Sequence, residues 1–314
     1  MLLRPNLKKL FLMLCLGTSV IVINSSCDKD DPAPAPAPTT IVDIAKTDPS
    51  LSILVSAVVK AGLVDALSTT PNLTVFAPTN DAFIASGFPQ SAIDALTPAQ
   101  VTSVLTPILT YHVVGAKVLA VNVPASDTVK TLNGLNLFAS KNANGVFVNG
   151  IKVTTADIIA SNGVIHKIST KVLVPPTQTI AEIVISNPDF SLLKTAVVHS
   201  GLAATLGGPG KFTVFAPVNS GFPASLDSDA EIIATSSTAV AAVVLSHAFG
   251  TNIFAGDLTV GTTPATLNPL TTLNIGLSPN TVIITGSSSG VSGITAVDIV
   301  AKNGVIHVIN KILL

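Results

Sequence analysis

Five histidines, two cysteines and one Gly-x-Ser-x-Gly segment are the residues of this chain best suited to chemistry. His112, His166, His199, His247 and His307 stand far apart, and none has a second ligand type three or four positions on. A metal needs ligands that converge, so each imidazole is expected to be satisfied within the fold or at its surface. Gly286-Ser287-Ser288-Ser289-Gly290 fits the nucleophile-elbow pattern, which works only where a strand turns into a helix. Here Val282-Ile283-Ile284 precedes it and Ile294-Thr295-Ala296-Val297 follows, both strand-like, so a hairpin loop is expected instead. Gly207-Gly208-Pro209-Gly210 precedes a strand and has no phosphate-binding Lys at the right spacing. It reads as a turn rather than an anion cradle.

The elements that must position these residues occur twice. Thr74-Val75-Phe76-Ala77-Pro78-Thr79-Asn80-Asp81-Ala82-Phe83 returns as Thr213-Val214-Phe215-Ala216-Pro217-Val218-Asn219-Ser220-Gly221-Phe222, 139 positions later. Asn162-Gly163-Val164-Ile165-His166 returns as Asn303-Gly304-Val305-Ile306-His307, 141 positions later. A period this long means two whole domains rather than a solenoid of small units.

Thr-Val-Phe-Ala-Pro-x-Asn-x-x-Phe, then Tyr111-His112-Val113-Val114-Gly115, then Asn-Gly-Val-Ile-His resemble the fasciclin (FAS1) domain family. The resemblance implies an α+β fold: two tandem FAS1-like domains, each a small β-sandwich with packed helices. It also implies an extracellular adhesion or matrix module without enzymatic activity. In that family a Tyr-His motif flanked by aliphatics is associated with cell adhesion. Tyr111, His112, Val113 and Val114 are therefore the candidate binding residues, with core packing as the other reading of the same segment. Repeat two has Ser246 in place of Tyr111 and keeps His247, so any binding through the motif belongs mainly to the first domain.

Each repeat opens with an amphipathic helix. Asp48 is a suitable cap with Pro49 at the first helical position, and Leu51, Leu54, Val55, Val58 and Val59 form one apolar stripe that Gly62 ends. Pro188, Phe190, Leu193 and Gly201 repeat the plan. The Thr-Val-Phe-Ala-Pro block is expected as a buried strand stopped by Pro78 or Pro217, with Asn80 and Asn219 bonding backbone in the following turn. Phe83 and Phe222 are the expected core anchors. Asn162-Gly163 and Asn303-Gly304 read as two-residue hairpin turns with positive φ at both positions. That register sets Ile159 opposite His166 and Asp157 opposite Ile168, placing Asp157 and His166 on one face. The predicted outcome is an inward His satisfied by a carboxylate or a backbone carbonyl. Leu314 aligns with Leu173, where the last strand is expected to finish.

The N-terminus reads as an export signal over residues 1–26. Arg4, Lys8 and Lys9 precede Leu10–Ile23, a mostly apolar run of 14 residues that is too short for a membrane-spanning helix. Asn24-Ser25-Ser26-Cys27 resembles a bacterial lipobox, and Cys27 is the expected lipidation site; ordinary signal cleavage is the alternative. Cys15 lies inside the signal, so no disulfide is expected in the mature chain. Residues 27–39 form a tether, acidic at Asp28-Lys29-Asp30-Asp31 and then alternating Pro and Ala, which favours an extended spacer. The acidic cluster is similar to the surface-export signal of Bacteroidetes lipoproteins.

Only 11% of residues are charged, the formal net charge is −1 and Trp is absent, so nothing supplies a basic stripe or aromatic platform for nucleic acid. The expected organisation is a first domain over 40–175 and a second over 179–314. The expected function is a cell-envelope lipoprotein, anchored through Cys27 and exposed at the outer-membrane surface, that contacts an extracellular protein or matrix polymer. No cofactor or metal is implied. A glycan- or small-ligand-binding envelope protein is the alternative, and a hydrolase centred on Ser288 is a further rival.

Overall fold

The computed structural model describes residues 39–278, 281–286 and 290–313. The signal, Cys27 and the Pro-Ala tether therefore lie outside the described residues, as do Ser287, Ser288 and Ser289. Residues 38–314 form one compact unit in which the sequence repeat becomes two α+β halves, each a curled sheet with helices packed on it.

In the first half the strands are β1 (Leu73–Pro78), β2 (Val113–Val114), β3 (Ser126–Lys130), β4 (Asn136–Asn142), β5 (Gly145–Val148), β6 (Ile151–Ala160) and β7 (Gly163–Ile168). Their order in the sheet is β2-β1-β7-β6-β5-β4-β3. Only β1 and β7 run parallel; the other neighbours are antiparallel. The second half carries β8 (Phe212–Pro217), β9 (Ala248–Phe249), β10 (Asn274–Ser278), β11 (Thr281–Gly286), β12 (Gly290–Ala301) and β13 (Gly304–Ile309), ordered β10-β11-β12-β13-β8-β9.

Alternation along β1 divides the core in two. Leu73, Val75 and Ala77 point to the helices, joining Leu51, Leu54, Val58 and Leu109. Phe76 points the other way, into a cluster with Leu137 of β4, Val148 of β5 and Ile168 of β7. The curled sheet thus packs on itself as well as on its helices, which gives the sandwich-like layering.

The opening helix follows the expected plan, with one change. Asp48 accepts a hydrogen bond from Ser50 N–H, Pro49 begins the helical turn, and Gly62 takes φ +68° past the end of the helix Ser52–Lys60. Leu51, Leu54 and Val58 are buried, but Val59 is 56% exposed, and Ile53 and Ala57 are buried instead. The short helical turn before Ser52 rotates the stripe, so the buried face is centred away from Val59. Phe83 is fully buried, whereas Phe222 is half-buried because a short 3₁₀ turn (Asn219–Gly221) replaces the helix Asn80–Ala85.

The hairpin prediction needs correction. Ala160 pairs with Gly163 and Ile159 with Val164, so the turn residues are Ser161 and Asn162, neither with positive φ. Two register shifts in β6 then set Val153, not Asp157, opposite Ile168. The type of turn expected there occurs elsewhere: Asn149 (φ +46°) and Gly150 (φ +77°) join β5 to β6.

Candidate functional site

The segment that the sequence singled out lies in the interior. The helix Thr106–Tyr111, preceded by a π-helical turn over Val101–Leu105, delivers Tyr111 and His112 to the core, and β2 continues with Val113 and Val114. All four side chains are buried. The Tyr111 hydroxyl donates to the Asn136 carbonyl (2.9 Å) and accepts from Asn149 Nδ2 (2.8 Å). Asn149 Oδ1 in turn accepts from Phe138 N–H, so one side chain closes the turn and holds the phenol. Burial pushes the Tyr111 pKa up to about 12. The phenol is a structural hydroxyl with both roles used, and all four side chains are packed in the core.

His112 is a latch. Its Nδ1 donates to the Ile108 carbonyl (2.8 Å), and its Nε2 accepts from Leu173 N–H (3.0 Å). His247 does the same with Val243 (2.8 Å) and Leu313 (2.8 Å). Leu313, rather than Leu314, therefore takes the place of Leu173. Both imidazoles are neutral, because burial depresses each pKa to about 4.

His166 and His307 are inward, as expected, and each is held by two backbone groups. Asp157 N–H donates to His166 Nδ1 (3.1 Å), so the Nε2 proton goes to the Val118 carbonyl (2.8 Å). Asp298 N–H and the Ile253 carbonyl serve His307 in the same way (3.4 and 2.7 Å). Phe76 stacks on His166 at 5.5 Å and Phe215 on His307 at 5.1 Å. The Asp–His pair meets through the Asp main chain, so no carboxylate orients the imidazole as a triad requires. Asp157 and Asp298 occupy the β6 and β12 bulges at φ +59°, and their carboxylates accept from Ala120 and Ala255 N–H. His199 bonds only the Thr235 carbonyl (2.8 Å). Among the described residues, no group of three or more His, Cys, Asp or Glu side chains converges as metal ligands.

The two asparagines that recur do long-range work the sequence did not disclose. Asn162 Oδ1 accepts from Ile41 N–H, the start of the first helix, while its Nδ2 donates to Leu67, Ser68 and Thr70 carbonyls. Asn303 repeats this with Ile180, Leu206 and Gly208. A Cβ on Gly163 or Gly304 would overlap the Leu73 or Phe212 carbonyl oxygen, so glycine permits the close parallel approach of the strands. Asn80 and Asn219 bond not the following turn but a remote helix start: Ile53 N–H and the Pro49 carbonyl, or Leu192 N–H and the Pro188 carbonyl. Thr74 and Thr213, which sequence reasoning passed over, pin the loop after β2 or β9 through their hydroxyls. Their recurrence in both blocks was the available signal.

The remaining candidates are quickly placed. Gly286 pairs with Gly290, so the Gly-x-Ser-x-Gly segment is flanked by two antiparallel strands, while Ser288 itself lies outside the described residues. Gly208-Pro209-Gly210 links a short helix to β8 as a bend.

Known proteins bear on the same architecture. The sequence profile described as the fasciclin domain matches residues 49–175 and 188–314. Protein sll1483 of Synechocystis sp. is 44% identical over 137 residues, covering 44% of this chain and 74% of that protein. Transforming growth factor-beta-induced protein ig-h3 of Sus scrofa is 30% identical over 245 residues, 77% of this chain; the match spans 35% of ig-h3. Among solved structures, a FAS1 domain pair from the insect cell adhesion molecule fasciclin I aligns at a TM-score of 0.40 and 19% identity, covering 84% of this chain and 97% of that one.

Proposed function

The chain belongs to the fasciclin domain family, and from that premise we propose that it is a non-enzymatic adhesion protein that contacts an extracellular protein or matrix polymer through its outer surfaces. The observation that carries this reading is the internal employment of its polar residues. The Tyr111 hydroxyl, all five imidazoles and the recurring asparagines bond backbone or each other, which leaves a rigid frame without a poised nucleophile among the described residues. Binding then falls to exposed side chains on two joined domains, whose weak contacts gain from being linked.

The finer part of the proposal concerns place. The basic start, the 14-residue apolar run and Cys27 support export and lipid anchoring at the cell envelope, with the Pro-Ala tether holding the domains away from the membrane. An adhesion assay on intact cells, comparing wild type with Cys27→Ser, tests both parts. The reading expects wild type to bind a matrix-coated surface, and Cys27→Ser to shed the protein into the medium with cell binding lost. Absence of binding by displayed wild-type protein sinks the adhesive role; retention of Cys27→Ser on the cell sinks the anchor.

A further inference from the structure

The helical cores of the two halves differ at matched positions. His112 bonds the Ile108 carbonyl and His247 the Val243 carbonyl, which aligns Leu105, Ile108 and Leu109 with Val240, Val243 and Val244. In each pair the second residue is one methylene shorter. Ile93 and Ile232 are 139 positions apart but His112 and His247 only 135, so the second half is also four residues shorter between them. The π-helical turn Val101–Leu105 accordingly has no counterpart in the helix Ser237–Ser246. On the facing loop, Phe83 is fully buried and Phe88 half-buried against the same cluster as Leu105, Ile108 and Leu109. In the second half Phe222 is only half-buried, and the exposed Asp227 stands at the place of Phe88.

What the first half fills, the second leaves open. A cleft of about 80 Å³ lies there, walled by the buried Leu193, Ile232, Val240 and Val244. Half-buried Phe222 and exposed Ala239 also line it, so it opens to solvent. The polar groups on its lining are already used. Both His247 nitrogens bond backbone, and the Thr235 hydroxyl donates to the Glu231 carbonyl (3.0 Å). The wall therefore offers carbon alone.

The chain beside the cleft is acidic. Between the lining residues Leu226 and Ile232, Asp227, Asp229 and Glu231 replace Phe88, Gln90 and Ala92 of the first half. None of the three carboxylates belongs to an ion pair among the described residues. Glu231 crowds Asp227 and holds its carboxyl above the usual range, a repulsion that a cation would relieve.

Size and charge together select the occupant. The cleft is about half the ~150 Å³ apolar cavity that accepts benzene, so a branched aliphatic group fits better than a ring. A free hydrocarbon would use the wall but not the carboxylates. A polypeptide brings an aliphatic side chain and a cation on one chain.

We infer that the second half docks a Leu, Ile or Val side chain of a partner polypeptide, whose neighbouring Lys or Arg faces Asp227, Asp229 and Glu231. The inference rests on the adhesive reading for its partner, an extracellular protein, and assigns that contact to a site. The first half, with Phe83 and Leu105 in place, is the same site filled from within.

Methyl NMR of the full-length protein in a non-ionic detergent, titrated with the peptide acetyl-Lys-Leu-Lys-amide, tests the inference. Signals of Ile232, Val240 and Val244 should shift, while those of Leu54 and Leu109 in the first half stay in place. Acetyl-Lys-Ala-Lys-amide should bind at least about tenfold more weakly, the cost of withdrawing buried methylenes. Asp227→Asn with Glu231→Gln should weaken the leucine peptide about threefold at low salt and little at high salt. Val240→Leu with Val244→Leu restores the side chains of the first half and should abolish binding in a protein that stays folded by circular dichroism. Unmoved methyl signals, equal binding of the alanine peptide, or an affinity indifferent to the carboxylate substitutions overturns the inference. Isobutanol binding as tightly as the peptide also overturns it, since the cleft would then take a free small molecule. Purified protein and peptide are used, so a failure of cell adhesion leaves these readouts standing, and a failure here leaves adhesion through other surfaces standing.

Discussion

Tyr111 carries the distinction between a binding residue and a framework residue, because its hydroxyl is used twice inside the protein. Tyr111→Phe leaves the Asn136 carbonyl and one Asn149 N–H without a partner in a buried place. We expect a loss of about 1–3 kcal/mol in urea unfolding, and a value near zero would contradict the assigned role. The histidine latches add a pH dependence whose sign is fixed. His112 and His247 stay neutral in the folded chain down to about pH 4, while in the unfolded chain they take up a proton below the ordinary histidine pKa of about 6.5. Their stabilisation is complete above pH 6.5 and is lost as pH falls towards 4, at up to about 1.4 kcal/mol per pH unit for each. Urea midpoints at pH 7, 5.5 and 4.5 should fall in that order; a flat series would show that these imidazoles are not buried neutral. The Tyr-His segment was legible in the sequence as a unit with two readings, binding and core packing, and the side chains are buried as the second reading has it. A short motif gives residue types, whereas the side it faces depends on the helix that delivers it.

At the scale of elements, repetition made most of the fold readable. Blocks that recur at matching spacing gave the buried β1 and β8 strands, the Asp48 cap and the Gly62 helix end. The error over Asn162-Gly163 has a physical cause. The dipeptide satisfies the local chemistry of a tight turn, but here the amide ties three chain segments together and the glycine makes room for a parallel neighbour. Parallel pairing of β1 with β7 joins residues about ninety positions apart, which no local pattern reports. The bulge at Asp157 was hidden for a related reason, since a two-residue alternation cannot register an extra residue until both strands are seen. Asn162→Ala removes the acceptor for Ile41 N–H and the donor to three carbonyls. We expect it to cost about 2–4 kcal/mol and Asn303→Ala to do likewise, measured by chemical unfolding. Loss below about 0.5 kcal/mol would mean that the amides only cap exposed turns. The joint between halves also belongs to this scale. Asp257→Ala removes the acceptor for Ser140 and Asn142, and limited proteolysis should cut the segment between Ile168 and Ile180 faster than in wild type. An unchanged rate would mean that the other contacts, Phe138 on Phe254, Phe147 on Gly256 and the Lys211–Asp127 ion pair, hold the joint without it.

The whole molecule is a pair of family domains in which polar side chains mainly hold the frame and exposed surfaces remain for contact. Low charge and the lack of an aromatic platform gave only an expectation that no nucleic acid is bound, whereas the motif order was sufficient to reach the family. The joint could not be read from the sequence, because Ser140, Asn142 and Asp257 have no local pattern that marks them as partners. The most direct measurement of the central claim is adhesion by Tyr111→Phe protein, displayed on cells at a temperature where circular dichroism shows it fully folded. The account predicts binding equal to wild type alongside reduced stability. Binding abolished in a folded Tyr111→Phe protein of normal stability would contradict it, since the phenol would then be serving a partner instead of the core.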